Sequence, residues 1–101
     1  MEKLILPRLA GTREAVDDLL AEQQLPEELV GERLAVLCAD LASGSSSFAD
    51  QLVLEVLVNR GADELVLVGA PERFVQYVRA AAKRRGVAGR VAERSGAELE
   101  V

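Results

Sequence analysis

The chain contains no histidine, no tryptophan and a single cysteine, Cys38. Without histidine it can form no Ser-His-Asp or Cys-His group, so nucleophilic catalysis of those types is excluded. One cysteine without histidine also falls short of the ligands typical of zinc sites, and it allows no internal disulfide. We therefore expect no enzyme activity, no metal and no other cofactor. A single cysteine also suits a reducing compartment, so we expect the chain to be cytoplasmic.

Aromatic residues are scarce as well, since the chain has only Phe48, Phe74 and Tyr77. The core must therefore consist mainly of aliphatic side chains, and few rings are available to stack on bases or sugars. The formal net charge of −5 is the reverse of the basic balance typical of nucleic-acid-binding proteins. No uninterrupted apolar run is long enough to cross a bilayer. Neither nucleic acid nor a membrane is an expected partner.

The composition is that of a globular protein: half of the 101 residues are apolar and 29% are charged. That length suits one core, so residues 1–101 are interpreted as a single domain. Apolar runs of strand length alternate with segments of helical periodicity. The pattern predicts strands at residues 3–6, 34–39, 64–68, 90–92 and 97–101. It predicts helices that begin after Thr12, at Phe48 and at Pro71.

Alternating strands and helices favour a mainly parallel sheet with right-handed crossovers. We therefore predict an α/β fold, with a small sheet of about four strands and about three helices. Thr12 has the side chain of an N-cap. The second helix, residues 48–60, is apolar apart from a narrow polar stripe, which predicts that it is mostly buried. The basic run at residues 83–85 is predicted to complement the dipole of the third helix, ahead of a stop at Gly86.

A serine-rich turn at residues 40–47 joins an apolar strand to the second helix. Gly44 permits unusual backbone angles, and the serines bring hydroxyl and amide groups to a helix start, which favours negative charge. Ser47 and Asp50 have the spacing of a capping box. The turn at residues 69–71 follows the next strand, so the two turns are expected to be neighbours beyond the carboxyl ends of the strands. We predict the working surface here, although neither a Walker motif nor a GxGxxG motif is present.

Cys38 supports an alternative interpretation. A cysteine at a strand end, followed by a Ser/Gly turn, is similar to the phosphocysteine domains of sugar phosphotransferase systems and to low-molecular-weight tyrosine phosphatases. The phosphatases need an arginine shortly after the cysteine, whereas this stretch has none and carries Asp40, which would repel phosphate. A buried free cysteine also behaves as a small hydrophobe. A small phosphoryl-carrier or transferase domain using Cys38 remains the alternative function.

The segment Ser45-Ser-Ser-Phe-Ala-Asp-Gln-Leu52 resembles the strand-to-helix junction of STAS and STAS-like domains, the family of anti-sigma factor antagonists. Relatives of the STAS-like type carry a Ser-Ser-Phe junction, often followed by Ala-Asp and a leucine. The preceding strand, ending in Cys-Ala-Asp-Leu41, and the following Leu65-Val-Leu-Val-Gly69 with its helix are similar to neighbouring parts of that fold. The resemblance covers about residues 34–87, and only the serine-rich junction is specific.

The resemblance implies a protein-binding regulatory module, not an enzyme, whose partner is an ATPase-like kinase or an anti-sigma factor. In regulatory members the serine just before the helix is phosphorylated, which corresponds to Ser47, with Ser46 next. An aspartate usually precedes the two serines, whereas Ser45 stands there, and the stretch from Asp40 to the serines is shorter. A self-associating module, such as a homodimer, is a third interpretation. The residues expected to bind a partner or accept a phosphoryl group are Ser45, Ser46, Ser47, Phe48, Asp50 and Gly69.

Overall fold

The computed structural model describes residues 1–96, so the strand predicted at residues 97–101 lies outside the described residues. The strands are β1 (Glu2–Ile5), β2 (Leu9–Ala10), β3 (Arg33–Leu37), β4 (Ser43–Gly44), β5 (Glu64–Val68) and β6 (Val91–Arg94). The helices are α1 (Arg13–Glu22), α2 (Ser46–Val53) and α3 (Glu72–Arg84). Helix α2 continues as a π-helix over Leu54–Asn59, and a short 3₁₀ helix at Ala88–Arg90 precedes β6.

The four longer strands form one sheet in the order β1-β3-β5-β6, and each neighbouring pair is parallel. Within residues 1–96 the predicted α/β class, with its mainly parallel four-stranded sheet and three helices, is therefore confirmed. The two central strands are aligned with Ala35 opposite Val66. Both residues are buried although their side chains point away from the main core. The two central strands are thus buried on both faces of the sheet, and for this reason β3 and β5 are apolar at successive positions.

The main core lies between the sheet and the three helices. Helix α2 contacts both α1 and α3, so it is the central helix of that layer. As the apolar pattern predicts, every helix buries one side: α1 through Val16 and Leu20, and α3 through a longer row. The row in α3 consists of Phe74, Val75, Val78, Ala81 and Ala82. The opposite face of the sheet carries a smaller apolar cluster of Ala35, Val66 and Val68.

Helix ends follow the predicted signals. The Thr12 hydroxyl oxygen accepts a hydrogen bond from the Ala15 N–H at 3.2 Å, as expected of an N-cap. Gly86 has a φ of +74°, and the next N–H, of Val87, donates to the Ala82 carbonyl at 2.9 Å. This pattern is the glycine-based helix stop, in which a left-handed residue satisfies the last carbonyl groups.

Two features differ from the prediction. Strands β2 and β4 form a separate two-residue ladder, with Leu9 opposite Ser43, that was not predicted. Helix α2 begins at Ser46, two residues earlier than predicted, and its second half is a π-helix. Because a π-helix has more residues per turn, apolar positions shift around its axis, and Val58 is 46% exposed where the sequence indicated burial.

Candidate functional site

The serine-rich turn is held by backbone hydrogen bonds to the segment that follows β1. The Ala42 N–H donates to the Arg8 carbonyl at 2.8 Å, and the Ser45 N–H donates to the Ala10 carbonyl at 2.9 Å. The β2–β4 ladder lies between these two bonds. The start of α2 is therefore fixed against the residues that lead into α1, and the turn has a defined shape.

Ser45 is the N-cap of α2. Its hydroxyl oxygen accepts from the Phe48 N–H at 3.0 Å, and the hydroxyl donates to the Gly11 carbonyl at 3.0 Å. The capping box predicted for Ser47 and Asp50 is therefore wrong, because the helix begins one residue after Ser45 and places both of them within it. Ser45 is half-buried, and its hydroxyl both donates and accepts a hydrogen bond within the chain. The hydroxyl therefore has a structural role.

Ser46 and Ser47, the next two residues, are exposed. Within residues 1–96, neither hydroxyl has a hydrogen-bond partner. Their N–H groups belong to the first turn of α2, where no preceding carbonyl is available within the helix. Leu9 lies nearby in the ladder, opposite Ser43, and is 68% exposed. This end of α2 thus combines two accessible hydroxyls with an exposed apolar side chain.

Phe48 does not belong to that surface. It is fully buried, and the centre of its ring lies 6.1 Å from that of Phe74. Its prediction as a partner-binding residue is therefore corrected: it faces the sheet and anchors the first turn of α2 in the core. Burial of a phenylalanine contributes about 1.5–3 kcal/mol relative to leaving it exposed.

Asp50 is a buried acidic residue of α2, and three arginines surround its carboxylate. Arg13 of α1 approaches it at 2.8 Å, and Arg85 binds both of its oxygens at 3.1 and 2.8 Å. Arg84 lies 3.6 Å from the same carboxylate. We call Arg13, Arg84 and Arg85 the arginine cluster. It ties α2 to both of its neighbouring helices.

The arginine cluster sets the ionisation of Asp50. Hydrogen bonding from Arg85 and then from Arg13 lowers the pKa of the Asp50 carboxyl far below its ordinary value, although burial acts in the opposite direction. The hydrogen bond to Asp50 in turn raises the pKa of Arg85. The carboxylate is therefore ionised throughout the neutral range, and the cluster and Asp50 together carry a net positive charge.

The sequence did not reveal this cluster. It predicted that residues 83–85 complement the dipole of α3, whereas Arg84 and Arg85 contact a carboxylate on another helix. One signal was available: Asp50 lies among the apolar residues of a helix predicted to be buried, and a buried carboxylate needs partners. The sequence did not indicate which arginines would reach it.

The two turns beyond the strand ends do meet. A small cleft lies between β4 and the start of α3, lined by Ala42, Ser43, Gly44, Pro71, Arg73 and Phe74. Gly69, by contrast, lies in a separate cleft formed with residues 93–96. It has a φ of +66°, and its N–H donates to the Arg94 carbonyl at 2.9 Å. The predicted proximity of the turns is thus confirmed, but Gly69 is not brought together with the serines.

Cys38 is 1% exposed, and its thiol donates to the Val36 carbonyl at 3.4 Å. Burial raises the pKa of the Cys38 thiol to about 12, with a smaller opposing effect from the backbone of Val68. The thiol is therefore protonated at neutral pH, whereas the thiolate is the nucleophile. This environment is that of a structural cysteine.

We expect the Cys38 thiol to resist an aromatic disulfide reagent in the native chain at pH 8 and to react fully once urea unfolds it, because reaction needs an exposed thiolate. The measurement is the absorbance of the released thiol over time, with free cysteine as the reactivity standard. Stoichiometric reaction within minutes under native conditions would contradict the burial described here.

Among residues 1–96 there is no group of three or more Asp, Glu, Cys or His side chains arranged to hold a metal ion. None of the helices in this part of the chain has both the length and the apolar character needed to cross a membrane. No family model matches the chain, and neither a curated protein nor a solved structure matches it. The structural class alone is established: a small α/β domain with a parallel sheet.

Proposed function

We propose that this chain is a STAS-like protein-binding regulatory module, and not an enzyme, whose partner binds at the start of α2. One observation carries the proposal. Ser45 caps the helix, so Ser46 and Ser47 are exposed hydroxyls with no structural task among the described residues. The sequence resemblance covers the same turn, but the serine directly before α2 in this chain is Ser45, so Ser47 corresponds to the phosphorylated serine of STAS regulators only by its place in the Ser-Ser-Phe motif. Leu9, exposed opposite Ser43, supplies an apolar side chain near this turn, and the arginine cluster around Asp50 of α2 supplies positive charge.

Phosphorylation of Ser47, or of Ser46 beside it, would control binding. A phosphoryl group adds about −1.5 to −2 charges at neutral pH and three acceptor oxygens. On the unmodified surface, three arginine charges are opposed by the single carboxylate of Asp50. That balance favours an acidic contact surface on the partner, for which the resemblance suggests an ATPase-like kinase or an anti-sigma factor. The added negative charge would repel such a partner.

The phosphoryl-carrier alternative has less support. It requires a reactive thiol, and Cys38 lies in the core with a raised pKa.

We expect the Ser47→Asp variant to lose a partner that the wild-type chain and Ser47→Ala retain, because only the aspartate adds charge at the helix start. The experiment uses the three chains as baits in extract of the native cells, with captured proteins compared by quantitative mass spectrometry. A loss of about tenfold, corresponding to about 1.4 kcal/mol, is expected for the specific partner.

Ser95→Asp is the matched control, since Ser95 is another exposed serine and lies after β6, in the cleft that also contains Gly69. It should capture the partner as well as the wild-type chain does. If the wild-type chain, Ser47→Ala and Ser47→Asp capture the same proteins in equal amounts, the proposal that charge at Ser47 controls partner binding is wrong.

A further inference from the structure

The arginine cluster has more positive charge than Asp50 can neutralise. Three guanidinium groups surround one carboxylate, which leaves an excess of two positive charges. The side chains of Arg84 and Arg13 are 61% and 48% exposed, so part of each group faces solvent. A guanidinium has five N–H donors in a planar fork that suits carboxylate and phosphate oxygens. The cluster therefore retains donors that can bind a second anion.

Ser47 lies close to this cluster. It precedes Asp50 by three residues in α2, and side chains with that spacing are neighbours on a helix surface, about 5–6 Å apart at Cβ. Asp17 of α1 also lies near this face, and its carboxylate accepts from Gln51 at 3.5 Å. Gln51 also accepts from Arg13 at 3.5 Å, so Arg13 extends along the exposed side of α2. An anion on Ser47 would therefore lie near Arg13, which contacts both Asp50 and Gln51, the residues three and four positions after Ser47.

We propose that the arginine cluster is the binding site for the phosphoryl group of phosphorylated Ser47. The inference rests on the proposed function and names the residues that hold the modified state. A kinase would supply the group from a nucleoside triphosphate: the bond between Ser47 Oγ and the γ-phosphorus forms, and the bond from that phosphorus to its bridging oxygen breaks. The hydroxyl proton is released and a nucleoside diphosphate leaves. The phosphate and Asp50 then share the three arginines.

With Asp17 beside Gln51, the three arginines keep an excess of one positive charge over the two carboxylates, and a dianionic phosphate reverses that excess. Charge-assisted bonds from arginine to phosphate are among the strongest hydrogen bonds in proteins. Arginines that bind the phosphate are no longer available to acidic groups of a partner. Phosphorylation thus acts in two ways, by adding negative charge and by withdrawing the positive charge that attracts the partner.

The test is a ³¹P NMR titration of the full chain with phosphoserine installed at position 47 by genetic encoding. Nearby arginines favour the dianion and so lower the second pKa of the phosphate, which is about 6 in an exposed phosphoserine. We expect a decrease of at least about half a pH unit below that value of about 6. Arg84→Gln and Arg13→Gln should each reverse part of the decrease, whereas Arg33→Gln, at the other end of the sheet, should not.

Arg84→Gln is the decisive variant, because Arg84 is largely exposed and the shorter bonds to Asp50 come from Arg13 and Arg85. Its circular dichroism spectrum should match that of the unsubstituted chain. A phosphate pKa at position 47 no lower than about 6 would overturn the inference. So would a decrease at position 47 that Arg84→Gln and Arg13→Gln leave unchanged, since the helix terminus alone would then explain it. The capture experiment tests the switch separately. Partner binding can be unaffected by charge at Ser47 while the arginines still bind the phosphate. Conversely, the partner can be lost even though the arginines do not bind the phosphate.

Discussion

Replacing Asp50 with asparagine is expected to lower the free energy of unfolding by about 1.5–3 kcal/mol at pH 7, the range found for hydrogen bonds to charged groups. The substitution keeps the shape of the side chain and removes the charge to which Arg13 and Arg85 donate. It also leaves three arginines next to one another without a counter-charge. Urea denaturation followed by circular dichroism gives the value.

Asp18→Asn is the matched control. Asp18 is an exposed residue of α1, so the same chemical change there should alter stability by no more than about 0.5 kcal/mol. A loss at position 50 no larger than at position 18 would show that the arginine cluster does not hold the helices together.

The pH dependence of the Asp50 effect has a defined direction. The folded state lowers the pKa of this carboxyl, so its contribution to stability is complete above the unfolded value of about 3.9. The contribution is lost as the pH falls from there towards the folded pKa. The stability difference between wild type and Asp50→Asn should therefore be constant from pH 8 to pH 5 and decrease below about pH 4. A difference that stays constant down to pH 2 would contradict this account.

Gly44→Ala is expected to destabilise the chain by about 1–3 kcal/mol, the range for overpacking a core. A Cβ at this position would lie 2.5 Å from Cδ1 and 2.8 Å from Cε1 of Phe74. The Phe74 ring is 2% exposed and contacts Phe48, so it has little room to move. Thermal and urea denaturation measure the loss, with Gly89→Ala as control, because nothing lies within 4 Å of a Cβ added there.

A second substitution tests the cause of that loss. In a Phe74→Leu background the ring is absent, so adding Gly44→Ala should cost less than it does in the wild-type chain. An equal cost in both backgrounds would show that the alanine acts through the backbone of the turn and not through contact with the ring.

Much of the fold could be predicted because its signals are local and repeated. The apolar runs predict β3 and β5 to within a residue or two, and the buried side of α3 follows from its helical spacing. The β2–β4 ladder could not be predicted, because two residues give no periodicity and their pairing depends on the path of the turn. The π-helix after α2 has no signal in the sequence either, since residues 54–58 are typical of a buried α-helix.

The position of the candidate site was predictable, but the roles of its residues were not. Glycine and serines after an apolar strand indicate a turn into a helix, and the structure has one there. Whether Ser45 or Ser47 caps that helix depends on a shift of two residues, which the sequence does not determine. The arginine cluster joins Asp50 to residues 35 and 37 positions away. Such contacts depend on how the helices pack, so no local pattern contains them.

The most direct test is a calorimetric titration of the captured partner into two forms of this chain, unmodified and phosphorylated on Ser47. The account predicts that the phosphorylated chain binds at least about tenfold more weakly, since a charge at this helix start opposes the partner. Equal dissociation constants for the two forms would mean that the partner does not bind at this end of α2.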